Sequence, residues 1–241
     1  MSDEKFSLII PTFCLSGKEQ MSIDLHFLNQ IITKENIIFT LRFYLWSGNW
    51  ISTGFHQKNL PNHWLNLSKN GVVKIIKRPS GGGAVLHSGG ITYAITFHKP
   101  EYKKFSYQIV NEWLIESFNK LGFKLNNGKI KKSTISSNCF SSSFTSDLID
   151  KNGFKRIGSA QYWKKGSFLQ HGEIQLNPPE DLWFEIFKEE SPPPINLNLN
   201  RSEIIDFLQK SFLKKYQFLN TQTIFLTKED VVSQLRNNKN F

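Results

Sequence analysis

The chain of 241 residues is poor in cysteine and contains only Cys14 and Cys139. Two cysteines are too few for a disulfide framework, and their spacing does not fit a zinc site, so we expect free thiols and no metal. The sequence has no run of about 18 apolar residues and therefore predicts no membrane-spanning helix. Its first residues are charged and do not form the pattern of a signal peptide. A cytoplasmic protein is expected.

Acidic residues are also scarce. The chain has 20 Asp and Glu but 30 Lys and Arg, which gives a formal net charge of +10. A basic surplus is typical of nucleic-acid-binding proteins. Here the lysines are scattered as pairs such as Lys103-Lys104 and Lys214-Lys215, with no basic helix and no RNA-binding motif. A nucleic acid is therefore not expected as the main partner, and the charge fits acidic protein partners equally well.

The chain is rich in apolar residues, which make up 39% of it and include 21 phenylalanines, enough to fill a substantial core. Apolar spacing of three and four predicts helices at 20–32 and at 107–121, the second ended by Gly122. Patterns typical of strands predict strands at 39–46, 50–57, 72–76 and 91–97. They also predict one hairpin that turns at 151–153 and another that turns at 164–166. These elements predict a mixed α/β (α+β) fold with a mainly antiparallel sheet flanked by helices.

The C-terminal part continues with helical patterns. A short helix is predicted at 180–189, followed by a helix at 203–216, a strand at 221–226 and a helix at 228–236. Thr227 and Asp230 have the spacing of a capping box for the last helix.

The most informative segment runs from Arg78 to Gly90, with the sequence Arg-Pro-Ser-Gly-Gly-Gly-Ala-Val-Leu-His-Ser-Gly-Gly. Consecutive glycines let the backbone approach a ligand closely, and their N–H groups can converge on an anionic or carbonyl oxygen. Arg78 adds positive charge and His87 can transfer protons. The segment therefore indicates a binding site for an activated acyl group, although a glycine-rich hairpin without a ligand is the simpler alternative.

Two phosphate-binding motifs can be excluded for this segment. A P-loop needs a Lys-Ser/Thr ending and a following helix, whereas a β-branched, strand-like run follows here. The G-x-G-x-x-G spacing that opens a helix in dinucleotide-binding folds is also absent.

Three further features lie downstream: Cys139-Phe140 in the serine-rich segment 133–146, Lys155 before Gly158-Ser159, and Leu169-Gln-His-Gly-Glu173. With these the chain resembles the biotin/lipoate protein ligase superfamily over most of residues 20–180. The resemblance rests on five stretches in the family's order: Leu41-Arg-Phe-Tyr-Leu-Trp46, Ser52-Thr-Gly-Phe-His-Gln57, Arg78-Pro-Ser-Gly-Gly-Gly-Ala-Val-Leu-His87, Lys155-Arg-Ile-Gly-Ser-Ala-Gln161 and Leu169-Gln-His-Gly172.

The resemblance implies the catalytic-domain fold of that superfamily, with a tunnel for a medium-length acyl chain. It implies a catalytic domain over residues 1–200 and a helix–strand–helix extension over 201–241 packed on the same domain. It also implies the substrate-binding residues, which are Arg78, Ser80, Gly81, Gly82, Gly83, Ala84, His87, Gly158 and Ser159. By this likeness the arginine and the glycine backbone hold the activated carboxyl end, and His87 lies at the pocket mouth.

Two branches of the superfamily remain open. Lipoate–protein ligases activate lipoate with ATP and Mg²⁺, whereas octanoyltransferases take octanoyl from acyl carrier protein through a cysteine thioester and need no cofactor. Cys139-Phe140 resembles the Cys-Phe of octanoyltransferases from many Gram-positive bacteria. Lys155 would contact the acyl carbonyl or an adenylate and, in transferases, help to deprotonate the attacking group. A neighbouring lysine can also lower the pKa of a thiol. The acceptor would be a lysine of a lipoyl domain or of the glycine-cleavage H protein.

Two positions depart from the pattern, because Gly83 stands where octanoyltransferases often have arginine and Ser88 stands where an aspartate commonly follows the histidine. The first departure is more ligase-like, and the second disfavours Mg²⁺-dependent adenylation. A third hypothesis is a non-catalytic homologue that binds acyl groups or nucleic acid.

Each candidate residue also has a structural alternative. Cys139 could be a free cysteine in a loop, Lys155 a solvated hairpin charge and His87 a polar side chain at a strand end. We interpret Cys14 as inert and His171 and Gln170 as structural. Trp46, Phe43 and Tyr44 are interpreted as core residues, of which one or two could also line the acyl tunnel. The catalytic interpretation predicts that Cys139 and Lys155 line one pocket with the turn at Gly81 to Gly83.

Overall fold

A computed structural model describes residues 4–99, 106–128, 147–217 and 222–236. The helices are α1 (Gly17–Thr33), α2 (Asn62–Lys69), α3 (Ser106–Lys120), α4 (Glu180–Phe187), α5 (Arg201–Tyr216) and α6 (Lys228–Arg236). The strands are β1 (Phe6–Leu15), β2 (Ile37–Trp46), β3 (Trp50–Thr53), β4 (Lys74–Lys77), β5 (Val85–His87), β6 (Ile91–Phe97), β7 (Leu125–Asn127), β8 (Leu148–Asp150), β9 (Lys155–Lys164), β10 (Ser167–Ile174) and β11 (Gln222–Phe225).

Eight strands form a large sheet in the order β11-β1-β2-β6-β10-β9-β8-β7. Strand β1 runs parallel to both β11 and β2, and every other pair in this sheet is antiparallel. The predicted fold, a mainly antiparallel sheet flanked by helices, is therefore confirmed. Both predicted hairpins are present, and Gly153 and Gly166 adopt φ values of 87° and 84° at their turns.

Alternation along the strands sends side chains to opposite faces of the large sheet. Phe39 and Phe43 of β2 point to a core shared with α3 and α5, where Trp113 and Phe212 are fully buried. Tyr44 of the same strand points to a second core shared with α1 and α6. Two helices therefore cover each face of the sheet.

Helix starts are fixed by side-chain caps. Ser16 and Glu19 form a capping box at α1, and Asn200 and Glu203 form one at α5. The box predicted at α6 is confirmed, since the Thr227 N–H donates to Asp230 Oδ2 at 2.8 Å and the Asp230 N–H donates back to Thr227 Oγ1 at 3.1 Å.

The segment 78–90 does not form a hairpin. Strands β4 and β5, on either side of the glycines, both pair with β3 in a separate three-stranded sheet of order β4-β3-β5. A third core under α2 and α4 covers this small sheet and includes Trp64 and Trp183. The glycines therefore cross from one edge of the small sheet to the other.

The described helices include none that is both long and apolar enough to cross a bilayer. The additions to the elements that the sequence predicts are strands β1, β5 and β7 and helix α2. Strand β3 ends at Thr53, four residues before the end of the predicted strand.

Candidate active site

A small cavity of about 50 Å³ lies where the large sheet, the small sheet and the glycine turn meet. Five residues predicted for the site line it: Arg78, Gly82, His87, Gly158 and Ser159. The remaining lining residues come from α1 and from strands β2, β6, β9 and β10, and they are Met21, Tyr44, Trp46, Thr92, Ala160, His171, Gly172 and Glu173. The lining therefore combines polar side chains such as His87, His171 and Glu173 with the apolar Met21 and the aromatic Trp46.

The glycine turn is held by close backbone packing. Gly82 has a φ of 94°, in the left-handed region where a side chain is strained. A Cβ on Gly54 would overlap the carbonyl oxygen of Gly82. The Phe55 N–H also donates to the Ser80 carbonyl at 2.9 Å. The segment after β3 and the glycine turn therefore fix each other's position.

Arg78 braces this turn from inside the protein. Its NH1 group donates to the Ser52 carbonyl at 2.7 Å and to Ser52 Oγ at 2.8 Å. Its NH2 group donates to the carbonyls of Gly81 at 3.0 Å and Gly83 at 2.8 Å. These four bonds use both NH₂ groups of Arg78, a residue that is 6% exposed. In the structure Arg78 therefore holds the shape of the turn.

His87 lies in the cavity wall and is buried rather than at a mouth. Its ring stacks on Trp46 with 4.0 Å between the centroids, Nδ1 is 2.7 Å from Glu173 Oε2, and Nε2 is 2.7 Å from Ser52 Oγ. Arg78 can only donate to Ser52 Oγ, so the Ser52 hydrogen is left for Nε2 and the His87 hydrogen lies on Nδ1. Burial lowers the pKa of His87, with the Glu173 carboxylate opposing that shift, which favours this neutral form.

Glu173 accepts a second hydrogen bond, from the hydroxyl of Thr92. Trp46 Nε1 donates to the same hydroxyl at 2.7 Å. The carboxylate therefore ties β10 to β6 and β2, and through His87 to the small sheet. The sequence interpretation did not assign Glu173 to the site, and the structure places it in a strand whose eight residues are all buried.

A second buried polar cluster connects the turn to α1. Ser80 Oγ lies 2.5 Å from His171 Nε2, and His171 Nδ1 lies 3.2 Å from Asp24 Oδ2. Asp24 also pairs with Arg42 NH1 at 2.9 Å and accepts the Tyr44 hydroxyl at 3.1 Å. Burial raises the pKa of Tyr44, which keeps that hydroxyl protonated as a donor. Ser80, predicted to bind substrate, is buried and is not among the described residues that line the cavity, whereas His171 lines the cavity and contacts Ser80.

The wall formed by β9 is completed by hydroxyl contacts. Ser159 Oγ is 2.6 Å from the Tyr93 hydroxyl, which also accepts a bond of 2.9 Å from Gln170 Nε2. Ala84 is fully buried in the third core. Of the three aromatic residues interpreted as core, Phe43 lies in the core, while Tyr44 and Trp46 also line the cavity.

Lys155 is buried and is not among the described residues that line the cavity. Its Nζ forms an ion pair of 2.9 Å with Asp147 Oδ2. The Gly128 N–H donates to the Asp147 carbonyl at 2.7 Å, so the two described residues that flank 129–146 are in contact with each other. Cys139 lies in that segment, outside the described residues, and its predicted proximity to Lys155 stays a prediction. Cys14 is an exposed free cysteine.

Among the described ranges, no group of three or more His, Cys, Asp and Glu side chains has an arrangement that could hold a metal ion. What these ranges do provide is a neutral imidazole, a buried carboxylate and a braced glycine turn around one cavity. Such a site can position an acyl carbonyl beside the glycine turn.

A family model and individual proteins of known name match the chain, and the two kinds of match agree with each other. The family model of the lipoyl protein ligase A/B catalytic domain matches residues 16–209. An octanoyltransferase LipM of Clostridioides difficile is 32% identical over 198 residues, which cover 73% of this chain and 73% of that protein. An octanoyltransferase LipM of Geobacillus kaustophilus is 29% identical over 197 residues, which cover 76% of this chain and 67% of that protein.

A solved structure with the same fold is protein Ta0514 of T. acidophilum, provisionally described as a lipoate protein ligase and containing bound lipoic acid. It superposes with a TM-score of 0.76 over 97% of this chain and 94% of its own, at 18% sequence identity. At that identity the likeness establishes the fold alone.

Proposed function

Because the chain belongs to the lipoyl protein ligase A/B catalytic-domain family, we propose that it is an octanoyltransferase of protein lipoylation that carries octanoyl on Cys139. The observation that carries this proposal is the match to octanoyltransferases at 29% and 32% identity over about three quarters of the chain. The cavity adds support, because Gly82 of the glycine turn lines it together with Arg78, His87, Gly158 and Ser159, which the resemblance implies for the acyl site.

The proposed reaction has two balanced steps. The Cys139 thiolate attacks the carbonyl carbon of octanoyl-acyl carrier protein, a new thioester forms, and the carrier thiolate leaves. The ε-amine of an acceptor lysine then attacks the Cys139 thioester, an amide forms, the Cys139 thiolate leaves and one proton is lost from the amine. Neither step consumes ATP or requires Mg²⁺, so we propose that no cofactor takes part.

The described residues have distinct parts in this proposal. The backbone at Gly81, Gly82 and Gly83 holds the acyl carbonyl, and Arg78 and His87 keep that backbone in place as positioning residues. Gly158 and Ser159 form the adjoining wall. The buried Lys155 ammonium, oriented by Asp147, stabilises the Cys139 thiolate and then the charge that develops on the acyl oxygen.

The proposed donor is acyl carrier protein. The proposed acceptor is a lysine of a lipoyl domain or of the glycine-cleavage H protein, and the proposed compartment is the cytoplasm. A T. acidophilum ligase of this fold is described together with its E2 lipoyl domain, which supports lipoyl domains as acceptors for this chain.

Intact-protein mass spectrometry tests the proposal. The wild type is mixed with octanoyl-acyl carrier protein without ATP, beside the Cys139→Ala and Cys14→Ala variants. We expect one octanoyl group on the wild type and on Cys14→Ala, none on Cys139→Ala, and discharge of the group by an apo lipoyl domain. No adduct, together with lipoylation of that domain once lipoate, Mg²⁺ and ATP are supplied, would assign the chain to the ligase branch instead.

A further inference from the structure

Directly beside the glycine turn the surface carries an exposed aromatic ring and two exposed lysines. Phe55 is 54% exposed, and the Nζ of Lys77 lies 5.2 Å from the centre of its ring. Lys58 is also exposed and follows the turn that the Gln57 N–H closes on the Gly54 carbonyl at 3.0 Å. Phe55, Lys58 and Lys77 are called the rim patch below.

The rim patch is attached to the proposed acyl site by backbone contacts. Phe55 donates its N–H to Ser80, and Arg78 donates its N–H to the Thr53 carbonyl at 2.9 Å. Gly54, the residue before Phe55, lies against Gly82. A protein bound to the patch would therefore rest next to the turn where the acyl carbonyl is proposed to bind.

The charge of this part of the chain is strongly one-sided. The stretch 36–100, which supplies the small sheet, α2 and the glycine turn, contains no Asp and no Glu. It contains seven basic residues, of which Arg42 and Arg78 are buried. The five exposed ones are Lys58, Lys69, Lys74, Lys77 and Lys99, and the last pairs with Glu35. An exposed apolar ring beside a lysine is complementary to a surface that combines carboxylates with apolar side chains.

We propose that the rim patch is the docking surface for the acidic acyl carrier protein that donates octanoyl. This inference rests on the proposed function and adds the place of donor binding. The donor must present a thioester at the glycine turn, and the rim patch is positively charged and borders that turn. Docking there brings the carrier's thioester to the site, and exposed charges of this kind act mainly on association.

Loading kinetics test this proposal on the intact chain. The double variant Lys58→Glu/Lys77→Glu and the single variant Phe55→Ala are compared with Lys210→Glu/Lys214→Glu. The control pair is exposed on α5 and changes the net charge equally. Each protein is loaded from octanoyl-acyl carrier protein and from octanoyl-pantetheine, which has the same thioester without the carrier.

We expect kcat/KM with octanoyl-acyl carrier protein to fall about tenfold in the rim double variant, as reversing two exposed charges predicts. A smaller fall is expected in Phe55→Ala, and little change in the control. Loading from octanoyl-pantetheine should stay at the wild-type rate in all three variants, and added salt should weaken carrier loading less in the rim double variant.

Two results would overturn the inference. One is an equal loss with both donors, which would mean that the substitutions damage the acyl site. The other is normal loading combined with slower discharge by the lipoyl domain, which would assign the patch to the acceptor. A wild type that accepts octanoyl from neither donor would instead contradict the proposed function itself.

Discussion

His87 and Glu173 join the two sheets of the molecule, with 2.7 Å between the imidazole Nδ1 and the carboxylate Oε2. The histidine ends β5 of the small sheet and the glutamate lies near the end of β10 in the large sheet. Both side chains are at most 5% exposed. The position of the small sheet, and of the glycine turn it carries, therefore depends on this pair.

Stability should depend on the protonation of His87. Burial lowers its folded pKa below the unfolded value of about 6.5, so the unfolded chain binds more protons as the solution becomes acidic. The stabilisation is then present above pH 6.5 and is lost as the pH falls through the folded pKa. We expect the free energy of unfolding, measured with urea, to decrease from pH 7 to pH 5 by at most about 1.4 kcal/mol per pH unit for this group.

The variant His87→Asn isolates that dependence, because its amide nitrogen can still donate to Glu173 but does not titrate. It should flatten the decrease, although not completely, since burial also lowers the pKa of His26. His56→Asn, at an exposed position, is the matched control and should keep the wild-type slope. Identical slopes in all three proteins would show that His87 does not contribute.

Gly54→Ala should damage the site more than the fold. Its Cβ would overlap the Gly82 carbonyl oxygen and lie 2.9 Å from the carbonyl carbon, so the glycine turn must move. We expect octanoyl transfer to fall about 100-fold, because small misplacements of reacting groups have effects of that size, with a stability loss of about 2 kcal/mol.

Gly71→Ala is the control for strain alone. Gly71 has a φ of 74° and nothing within 4 Å of an added Cβ, so alanine should cost about 1–2 kcal/mol there and leave transfer unchanged. Equal transfer rates in the two alanine variants would contradict a role of the Gly54–Gly82 contact in the reaction.

Lys155 can be tested for a role beyond its ion pair. Lys155→Met should reduce transfer at least about 100-fold and destabilise the fold by about 3 kcal/mol, because Asp147 is left buried without its cation. In Lys155→Met/Asp147→Asn we expect stability to recover while transfer stays low. Recovery of both properties in the double variant would make Lys155 structural.

Helix α5 should unfold together with the rest of the chain. Phe212 is fully buried, and its ring centre lies 4.9 Å from that of Trp113 and 5.3 Å from that of Phe39. Phe212→Ala should therefore cost about 3–5 kcal/mol in a single thermal transition seen by both circular dichroism and tryptophan fluorescence. A separate early transition would instead mean that 201–241 unfolds independently of 1–200.

Local patterns predicted most of the elements, because within a helix or a strand the apolar residues recur at a regular spacing. Helix α1, for example, was predicted at 20–32 and spans Gly17–Thr33. Strand β1 was not predicted, since Pro11 interrupts its apolar run. The structure accommodates this proline where the register between β1 and β2 shifts, between Ile10 and Phe13. Helix α2 was missed because it is short and buries only Trp64 fully.

The candidate site was only partly predictable for a different reason. The glycines, Arg78 and His87 stand together in one segment, so their chemistry is visible in the sequence. Glu173 was missed because its partner His87 is 86 residues away, and such contacts exist only once both sheets are in place. The brace that Arg78 provides was not predicted either, because its acceptors are carbonyl groups of the turn, which side-chain patterns do not reveal.

The parallel pairing of β11 with β1, in which Phe6 lies opposite Gln222 and Ile9 opposite Phe225, has a consequence during synthesis. Strand β1 precedes β11 by about 200 residues, so it leaves the ribosome well before β11 is made. During that interval one edge of β1 presents backbone groups whose native partner does not yet exist. Such an edge invites pairing with other chains, so a nascent chain is exposed to aggregation until residues 222–225 emerge.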